Sequence, residues 1–165
     1  MNIIMTVELT ITDSGLLEKA ILVNEEGVAV TETVRGHGER EFCDYSLLTS
    51  VTIPDSVTGI GVGAFSSCDW LSGVVIPETV TVISDRAFFD CYSLEAVTIP
   101  ATVASVGDEA FADCNQMESA VILGNATRIG NRTFEWCESL VIIAPTDSPA
   151  EHYAKLNGVT FKALG

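Results

Sequence analysis

The chain has 165 residues, of which 47% are hydrophobic, and this is enough for one domain with a single core. Its net charge of −15, with only eight lysines and arginines, argues against binding to nucleic acids or to anionic membrane surfaces. No run of 18 apolar residues is present, so we expect no membrane insertion. The N-terminal MNIIMTVELTIT lacks the basic and apolar regions of a secretory signal.

The first 41 residues predict a cap for the repeats that follow. Apolar residues alternate there with polar ones and predict an edge strand: Met5, Val7, Leu9 and Ile11. Asp13 or Ser14 is a suitable N-cap for a short helix over Gly15–Leu22. TETVRGHGEREF at 31–42 aligns without a gap to PETVTVISDRAF at 77–88. We therefore expect a degenerate first coil over residues 19–41, with His37 in a column that is apolar elsewhere.

Phenylalanine then recurs with a spacing of 23 residues, at Phe42, Phe65, Phe88, Phe111 and Phe134. A fixed period of this length predicts a solenoid, in which each copy forms one coil and buries its apolar residues against the next coil. Neighbouring coils should lie about 4.8 Å apart, the spacing of paired strands.

Apolar residues also recur at fixed distances after each phenylalanine. The sixth position holds Leu48, Leu71, Leu94, Met117 and Leu140, and the eleventh holds Ile53, Ile76, Ile99 and Ile122. The fifteenth and eighteenth hold Val57, Ile60, Val80, Ile83, Val103 and Val106, with Ala126 and Ile129 in the fourth copy. The alternating L-x-x-V-x-I stretch predicts a short strand that ends at a proline in three copies, and V-x-x-I-G predicts a second extended segment.

The phrase C-x-x-L-x-x-V-x-I-P-x-x-V-x-x-I-G-x-x-A-F over residues 42–145 resembles the bacterial surface antigen A-like (BspA-like) leucine-rich repeats. The resemblance implies a right-handed coil with parallel strands on a concave face, short strands or turns on a convex face, and α/β caps. We expect one domain over 1–165, with caps at 1–41 and 146–165. Leu123 and Gly124 depart from the family pattern, because the fourth copy lacks the proline.

The C-terminal cap is predicted from Ser148-Pro149-Ala150-Glu151, a capping-box pattern with proline at the first helical position. It predicts a helix to about Asn157 that ends at Gly158, followed by a strand over Val159–Phe161.

Stacking brings equivalent charged residues together. Glu95 should neighbour Glu118 on the concave face, and Asp90 should neighbour Asp113 at a corner. A divalent cation could relieve such repulsion, but screening by water is the simpler expectation and no metal site is predicted. Arg86, Glu109 and Arg132 form an alternating column that predicts a surface ion-pair ladder.

Four of the five cysteines share one column, three residues after the phenylalanine: Cys68, Cys91, Cys114 and Cys137. We expect them to be buried, reduced thiols that pack as small apolar groups, because parallel Cβ vectors make the disulfide torsion awkward. Cys43 lies in a mixed column and is the candidate for a reactive thiol.

No catalytic or cofactor signature is present. His37 and His152 are the only histidines, and neither adjoins a nucleophile in a recognisable motif. The glycines of GHG and GIGVG match no phosphate-binding fingerprint. We therefore predict no enzyme activity and no cofactor.

Two surfaces are candidates for binding. The concave face is predicted to display small side chains and two acids: Thr49, Thr52, Ser72, Val75, Glu95, Thr98, Glu118 and Val121. The turn columns hold four aromatic residues that could anchor a partner or pack between coils: Trp70, Phe89, Tyr92 and Trp136.

The sequence thus predicts a monomeric, non-catalytic module that binds a protein partner, with adhesion implied by the resemblance. The alternative is a structural spacer or display module of a larger assembly. The resemblance implies a bacterial, secreted or cell-surface protein, while the absence of a signal pattern in this chain leaves a cytoplasmic location open.

Overall fold

The computed structural model of the protein describes residues 6–11, 17–23, 29–31, 49–53, 55 and 57–165. The elements, in chain order, are β1 Thr6–Ile11, β2 Leu17–Val23, β3 Ala29–Thr31, β4 Ser50–Thr52, β5 Gly59–Ile60, β6 Gly73–Val75, β7 Val82–Ile83, β8 Ala96–Ile99, β9 Ser105–Val106, β10 Ser119–Ile122, β11 Arg128–Ile129, β12 Val141–Ala144, α1 Pro149–Asn157 and β13 Thr160–Ala163.

The N-terminal strands form an antiparallel sheet in the order β1-β2-β3. This sheet confirms the strand predicted near the N-terminus and shows that the predicted helix over Gly15–Leu22 is wrong. Residues 19–23 of the predicted degenerate coil also belong to β2, whereas a coil would pair its strands in parallel. Pairing with β1 from Thr6 to Ile11 satisfies the β2 backbone, and this tertiary hydrogen bonding outweighs the local capping signal. His37 lies outside the described residues.

Each of the first four phenylalanine repeats contributes one strand to each of two parallel sheets, and the fifth contributes β12 to one of them. The concave sheet has the order β13-β12-β10-β8-β6-β4, and the convex sheet has the order β11-β9-β7-β5. Paired residues in successive coils are 23 apart, as in Ala96 with Ser119 and Val106 with Ile129. The predicted solenoid is therefore confirmed, and its period is also its hydrogen-bonding register.

The predicted phenylalanine column is the centre of the core. Phe65, Phe88 and Phe111 are buried, and their rings stack with centroids 5.0 Å apart and planes within 6° of parallel. Phe134 continues the stack at 5.5 Å. Burial of each ring removes a large apolar area from water, and the aromatic contacts add about 0.5–1.5 kcal/mol per pair. Phe42 lies outside the described residues.

The flanking apolar columns are buried as predicted in the second and third copies, but the fourth copy differs. Thr127 is buried and Ala126 is exposed, so the prediction that Ala126 fills the apolar fifteenth position of this copy is wrong. The Thr127 hydroxyl donates to the Val103 carbonyl at 2.8 Å, which satisfies its polar group in the core. A side chain at Gly124 would clash with Thr127 Oγ1. Gly124 thus leaves room for the Thr127 hydroxyl, and the inward position in this copy lies one residue later than in the earlier copies.

The four stacked cysteines are buried, and none forms a disulfide. Each of the last three thiols donates to the carbonyl of the phenylalanine 26 residues earlier: Cys91 to Phe65 at 3.0 Å, Cys114 to Phe88 at 3.2 Å and Cys137 to Phe111 at 3.3 Å. Burial raises the pKa of Cys137 to about 12, and the neighbouring Cys91 thiol together with burial raises the pKa of Cys68. These thiols are structural.

The C-terminal cap closes the last coil. Ser148 accepts from the Glu151 N–H at 3.3 Å, and Gly158 ends α1 at φ 68°, as predicted. The Glu151 carboxylate accepts from the N–H of Asp147 at 2.6 Å, one residue before the N-cap. The predicted final strand is β13, which pairs in parallel with β12 and extends the concave sheet.

Tyr153 on α1 takes the place of a further coil. In earlier coils the phenylalanine N–H donates to a carbonyl of the next coil, as Phe88 does to Ala110 at 2.8 Å. The N–H of Phe134 donates instead to the Tyr153 hydroxyl at 3.1 Å, and the two rings meet edge to face at 5.9 Å. One side chain thus terminates both the aromatic stack and the backbone hydrogen bonds of the phenylalanine position.

Phe88→Ala should lower the free energy of unfolding by about 3–5 kcal/mol, because it leaves a cavity between two stacked rings. Urea unfolding followed by circular dichroism would measure the loss. Leu156→Ala is the control, since Leu156 is 76% exposed, and its effect should stay within about 0.5 kcal/mol. Equal losses for the two variants would contradict the central role of the stack.

Tyr153→Phe should cost about 1–3 kcal/mol, because the buried Phe134 N–H loses its acceptor. Tyr92→Phe, whose exposed hydroxyl only accepts a 3.4 Å bond from Gln116, should cost less than about 0.5 kcal/mol. If Tyr153→Phe lost no more stability than Tyr92→Phe, this would argue against a stabilising hydrogen bond between the Phe134 N–H and the Tyr153 hydroxyl.

The stability that Tyr153 contributes should depend on pH, and Tyr153→Phe should lack this dependence. Burial raises the pKa of Tyr153, so above about pH 10 this tyrosine ionises in the unfolded chain before it does so in the folded protein. The unfolded state then binds fewer protons, and stability falls as pH rises. Unfolding curves at pH 8 and pH 10.5 should show a smaller difference between wild type and Tyr153→Phe at the higher pH.

Thiol labelling tests the cysteine column. With a pKa of about 12, Cys137 is roughly one part in ten thousand thiolate at pH 8. Iodoacetamide should therefore modify none of the four stacked cysteines of the folded protein within minutes. After denaturation, mass spectrometry should detect the modification on all four. Cys43 lies outside the described residues, and its rapid labelling, abolished by Cys43→Ser, stays a prediction from the sequence. Rapid modification of Cys91 or Cys114 would contradict the buried column.

Candidate interaction surfaces

The concave sheet brings the predicted strand-face residues together. Those that point to solvent are Thr49, Ser72, Val75, Glu95, Thr98 and Glu118, while Val121 is partly exposed. Thr52 is in β4, directly beside Val75, and its side chain lies outside the described part of the chain. Thr98 pairs with Val121 in the same way. The result is a shallow face of small side chains, with Val75 as an exposed apolar residue.

The two glutamates of this face lie on adjacent coils. The Glu118 N–H donates to the Glu95 carbonyl at 2.8 Å, so their side chains begin from neighbouring backbone positions, as predicted. Both are exposed, and neither belongs to the ion pairs found within the described residues. Water therefore screens most of their repulsion. A basic partner surface would gain from both charges.

The predicted arginine and glutamate ladder is only half formed. Arg86 Nη2 lies 2.7 Å from Glu109 Oε2, and its Nε donates to the same oxygen at 2.8 Å. Arg132, however, pairs with Glu135 at 3.8 Å rather than with Glu109. Glu109 already holds a two-pronged contact with Arg86, whereas Glu135 lies three residues beyond Arg132 on its own coil.

A second acidic column that the sequence reasoning missed has a structural role. Asp85 Oδ1 accepts from the Asp108 N–H at 2.9 Å, and Asp108 Oδ1 accepts from the Asn131 N–H at 2.7 Å. These carboxylates satisfy backbone donors of the next coil at a corner. The recurrence of Asp, Asp and Asn at one position of three copies was the available signal. Part of the acidity therefore supports the fold.

The four predicted turn aromatics differ in their surroundings. Trp70 and Trp136 are 61% and 62% exposed, and Tyr92 is 49% exposed. Phe89 is half-buried, with the Arg86 guanidinium 5.7 Å from its ring centroid. Cation–π contact therefore covers part of Phe89. Three of the four aromatics remain available to a partner.

Trp136 stands at a corner with unusual backbone geometry. Its φ of 64° is in the left-handed region, as are those of Ser67, Asp90 and Asp113 at the same position of earlier coils. Small polar residues tolerate this conformation better than a bulky aromatic residue does. Trp136 lines a 460 Å³ cleft between the last coil and the C-terminal cap. It is separate from the other exposed aromatics.

Trp70 and Tyr92 meet in one pocket, which we call the aromatic pocket. It has a volume of about 480 Å³ and is lined by Asp69, Trp70, Asp90, Tyr92 and Ser93. The two aromatic residues come from successive coils, and the Ser93 N–H donates to the Asp69 carbonyl at 3.1 Å. The sequence identified both aromatics but not their shared pocket with the aspartates. Asp69 and Tyr92 share the fourth position of the repeat, which was the only signal.

The charge in this pocket is concentrated around Asp90. Partial burial raises the pKa of Asp90, and the charges of Asp69 and Asp113 raise it further. The Ser67 hydroxyl opposes this by donating to Asp90 Oδ2 at 3.5 Å, a long bond. The predicted proximity of Asp90 and Asp113 is therefore supported by their electrostatic interaction. The pocket combines aromatic surface with carboxylates.

A further cleft, of about 920 Å³, lies between β11 and α1 and is lined in part by Arg128, Arg132 and His152. Ser148 also borders it, but its hydroxyl caps α1. Within the described residues, no group of three or more histidine, cysteine or acidic side chains is arranged to hold a metal ion. The same part of the chain has no helix long and apolar enough to cross a membrane.

Comparison with known sequences identifies the repeat. The model of the BspA type leucine-rich repeat region matches residues 28–151, in six copies. No curated protein gives a match. The match covers most of the chain and extends upstream of the phenylalanine at position 42.

Solved structures from bacteria share the fold. A leucine rich cell surface protein from Faecalibacterium prausnitzii A2-165 is 25% identical, with a TM-score of 0.63, and the alignment covers 86% of this chain and 40% of that one. The T. pallidum leucine-rich repeat protein is 23% identical, with a TM-score of 0.62 and coverage of 83% and 68%. A leucine-rich repeat protein from Eubacterium ventriosum ATCC 27560 is 18% identical, with a TM-score of 0.58 and coverage of 78% and 32%.

Proposed function

Because this chain belongs to the family of BspA-type leucine-rich repeats, we propose that it is a non-catalytic module that binds a protein partner through its concave face. The observation that carries the proposal is the register of the concave sheet. The four strands β4, β6, β8 and β10, from successive repeats, bring the same outward positions side by side, and these positions bear small side chains and two glutamates. Repeat solenoids use such extended surfaces to bind other proteins.

The chemistry of this face favours a broad and shallow contact. Thr49, Ser72 and Thr98 offer small polar groups, although the Ser72 hydroxyl already donates to the Thr49 carbonyl at 3.1 Å. Val75 adds exposed apolar surface, and Glu95 with Glu118 adds negative charge. Electrostatic complementarity then favours a partner with a basic surface, since it speeds association and suppresses wrong partners.

We place the module on the cell surface or in secreted form, with adhesion as its role. The F. prausnitzii protein is described as a leucine rich cell surface protein, and this chain spans 40% of its length. Treating intact cells with protease and then probing for the chain with an antibody tests the location. Digestion on intact cells or recovery from the medium supports it, and protection until the cells are lysed would contradict it.

A structural spacer is the second candidate function. The continuous hydrogen-bonded stack of coils supports it, because each coil contacts only its neighbours and could extend or display another domain. A spacer requires no side-chain chemistry on the concave face, so substitutions there separate the two functions.

Charge reversal on the concave face is the test. Glu95→Lys, Thr98→Arg and Glu118→Lys together should weaken binding of a captured and purified partner at least about tenfold, roughly 1.4 kcal/mol. The matched control is Asp55→Lys, Glu78→Lys and Thr79→Arg, which makes the same change in charge at exposed turn positions. Biolayer interferometry with both triple variants gives the comparison.

Equal binding by the two triple variants would refute the concave face as the binding surface. Failure to capture any partner from the extracellular fraction would favour the spacer. Thermal unfolding of both variants is needed alongside, and similar midpoints are expected because all six side chains are exposed or lie in surface turns.

A further inference from the structure

We propose that the aromatic pocket binds an arginine side chain of a basic protein segment. This inference rests on the proposed function, because it names the partner chemistry at one of the module's candidate surfaces. Trp70 and Tyr92 would stack against the guanidinium group, and Asp69 and Asp90 would accept its hydrogen bonds.

The aromatic surface is the first observation. Trp70 and Tyr92 are among the most exposed large hydrophobic residues of the described chain, at 61% and 49%. The residues next to them in sequence, Leu71 and Cys91, are fully buried, so the exposure is confined to the two aromatic side chains. A pocket of about 480 Å³ lies between them, within the roughly 300–1,000 Å³ typical of ligand sites. A cation over an aromatic face is attracted by the negative face of the ring, and guanidinium stacks especially well because it is planar.

The carboxylates are the second observation. Asp69 and Asp90 line the pocket, and Asp113 is close enough to raise the pKa of Asp90. None of these three aspartates takes part in the ion pairs found in the described residues. With 23 acidic residues against eight lysines and arginines, the chain itself supplies few cations. A cation from a partner would relieve this repulsion.

These aspartates also differ from the acids that support the fold. Asp85 and Asp108 accept backbone N–H groups of the next coil, and Glu109 is held by Arg86. Asp90, by contrast, accepts only the 3.5 Å bond from the Ser67 hydroxyl among the side-chain hydrogen bonds of the described residues. Its oxygens therefore keep acceptor capacity toward the pocket.

Arginine fits this set better than a neutral ligand does. A saccharide could also stack on the rings and hydrogen-bond to the carboxylates, but it would not compensate the charge of three neighbouring aspartates. Lysine would supply the charge without the planar group that stacks on rings and pairs with carboxylates in two-pronged fashion.

Nuclear magnetic resonance offers a direct test, because the chain has only two tryptophans. The indole N–H signals of Trp70 and Trp136 are resolved and assigned with a Trp136→Phe variant. A synthetic peptide, Gly-Ser-Arg-Gly-Arg-Ser-Gly, is titrated into the full chain, and its citrulline analogue, which keeps the shape without the charge, is the matched ligand. We expect saturable shifts of the Trp70 signal only, with at least tenfold weaker binding of the citrulline analogue.

Asp69→Asn with Asp90→Asn should weaken the binding of the arginine peptide at least tenfold. Asparagine is suited to position 90 because it tolerates the left-handed φ of 58°. The control, Asp55→Asn with Glu78→Gln, removes the same charge elsewhere and should leave binding unchanged. A third peptide with lysine in place of both arginines, and a neutral oligosaccharide, are titrated in the same way. Equal affinity for the arginine and citrulline peptides, equal shifts of both tryptophans, tighter binding of the lysine peptide or of the oligosaccharide, or no shift at all would overturn the proposal.

The outcome is separable from that of the proposed function. If partner binding is lost in the concave-face variant but the Trp70 signal does not respond to arginine, the module function stands and the arginine site falls. If the arginine peptide binds while the concave-face variant keeps its partner, the aromatic pocket rather than the concave face carries recognition.

Discussion

The structure depends on one constraint, the hydrogen bonding of each coil to the next with a register of 23 residues. Two backbone bonds of the concave side illustrate it: the Glu118 N–H donates to the Glu95 carbonyl at 2.8 Å, and the Val141 N–H donates to the Glu118 carbonyl at 2.9 Å. Because strands and corners keep the same register, every side chain stands beside its equivalent in the neighbouring coil. Stacked rings, the thiol column and the aspartate column at the corners all follow from this arrangement.

The same register divides the negative charge of −15 among different roles. Asp108 satisfies a backbone donor, and Glu109 holds Arg86. Glu95 and Glu118 remain on the concave face, and Asp90 lines the aromatic pocket. Acidity therefore stabilises the corners in one place and provides binding chemistry in another, so the net charge alone does not describe the surface.

The corners connect the fold to its candidate sites. Residues in the left-handed region recur at two positions of each coil, for example Arg86 with Asp90 and Glu109 with Asp113. Such corners turn the chain sharply, and the short turn that follows Asp90 holds Tyr92 beside Trp70 of the preceding coil. The left-handed backbone conformation, which few residues favour, therefore occurs at Asp90, a residue that lines the aromatic pocket. At the C-terminal end, Tyr153 provides the hydrogen-bond acceptor and the ring contact that a further coil would otherwise provide to Phe134.

Sequence by itself determined the period, the buried columns, the cap helix and the strand faces, because a repeat places the same side chain in the same environment several times. It failed where the environment is not repeated. Residues 17–23 form a strand because they pair with β1. Thr127 is buried instead of Ala126 in the copy that contains Gly124, and Arg132 forms its ion pair with Glu135 instead of Glu109. Only the tertiary structure joined Trp70 to Asp90 in one pocket, since that contact depends on how unlike residues of two coils meet across a turn.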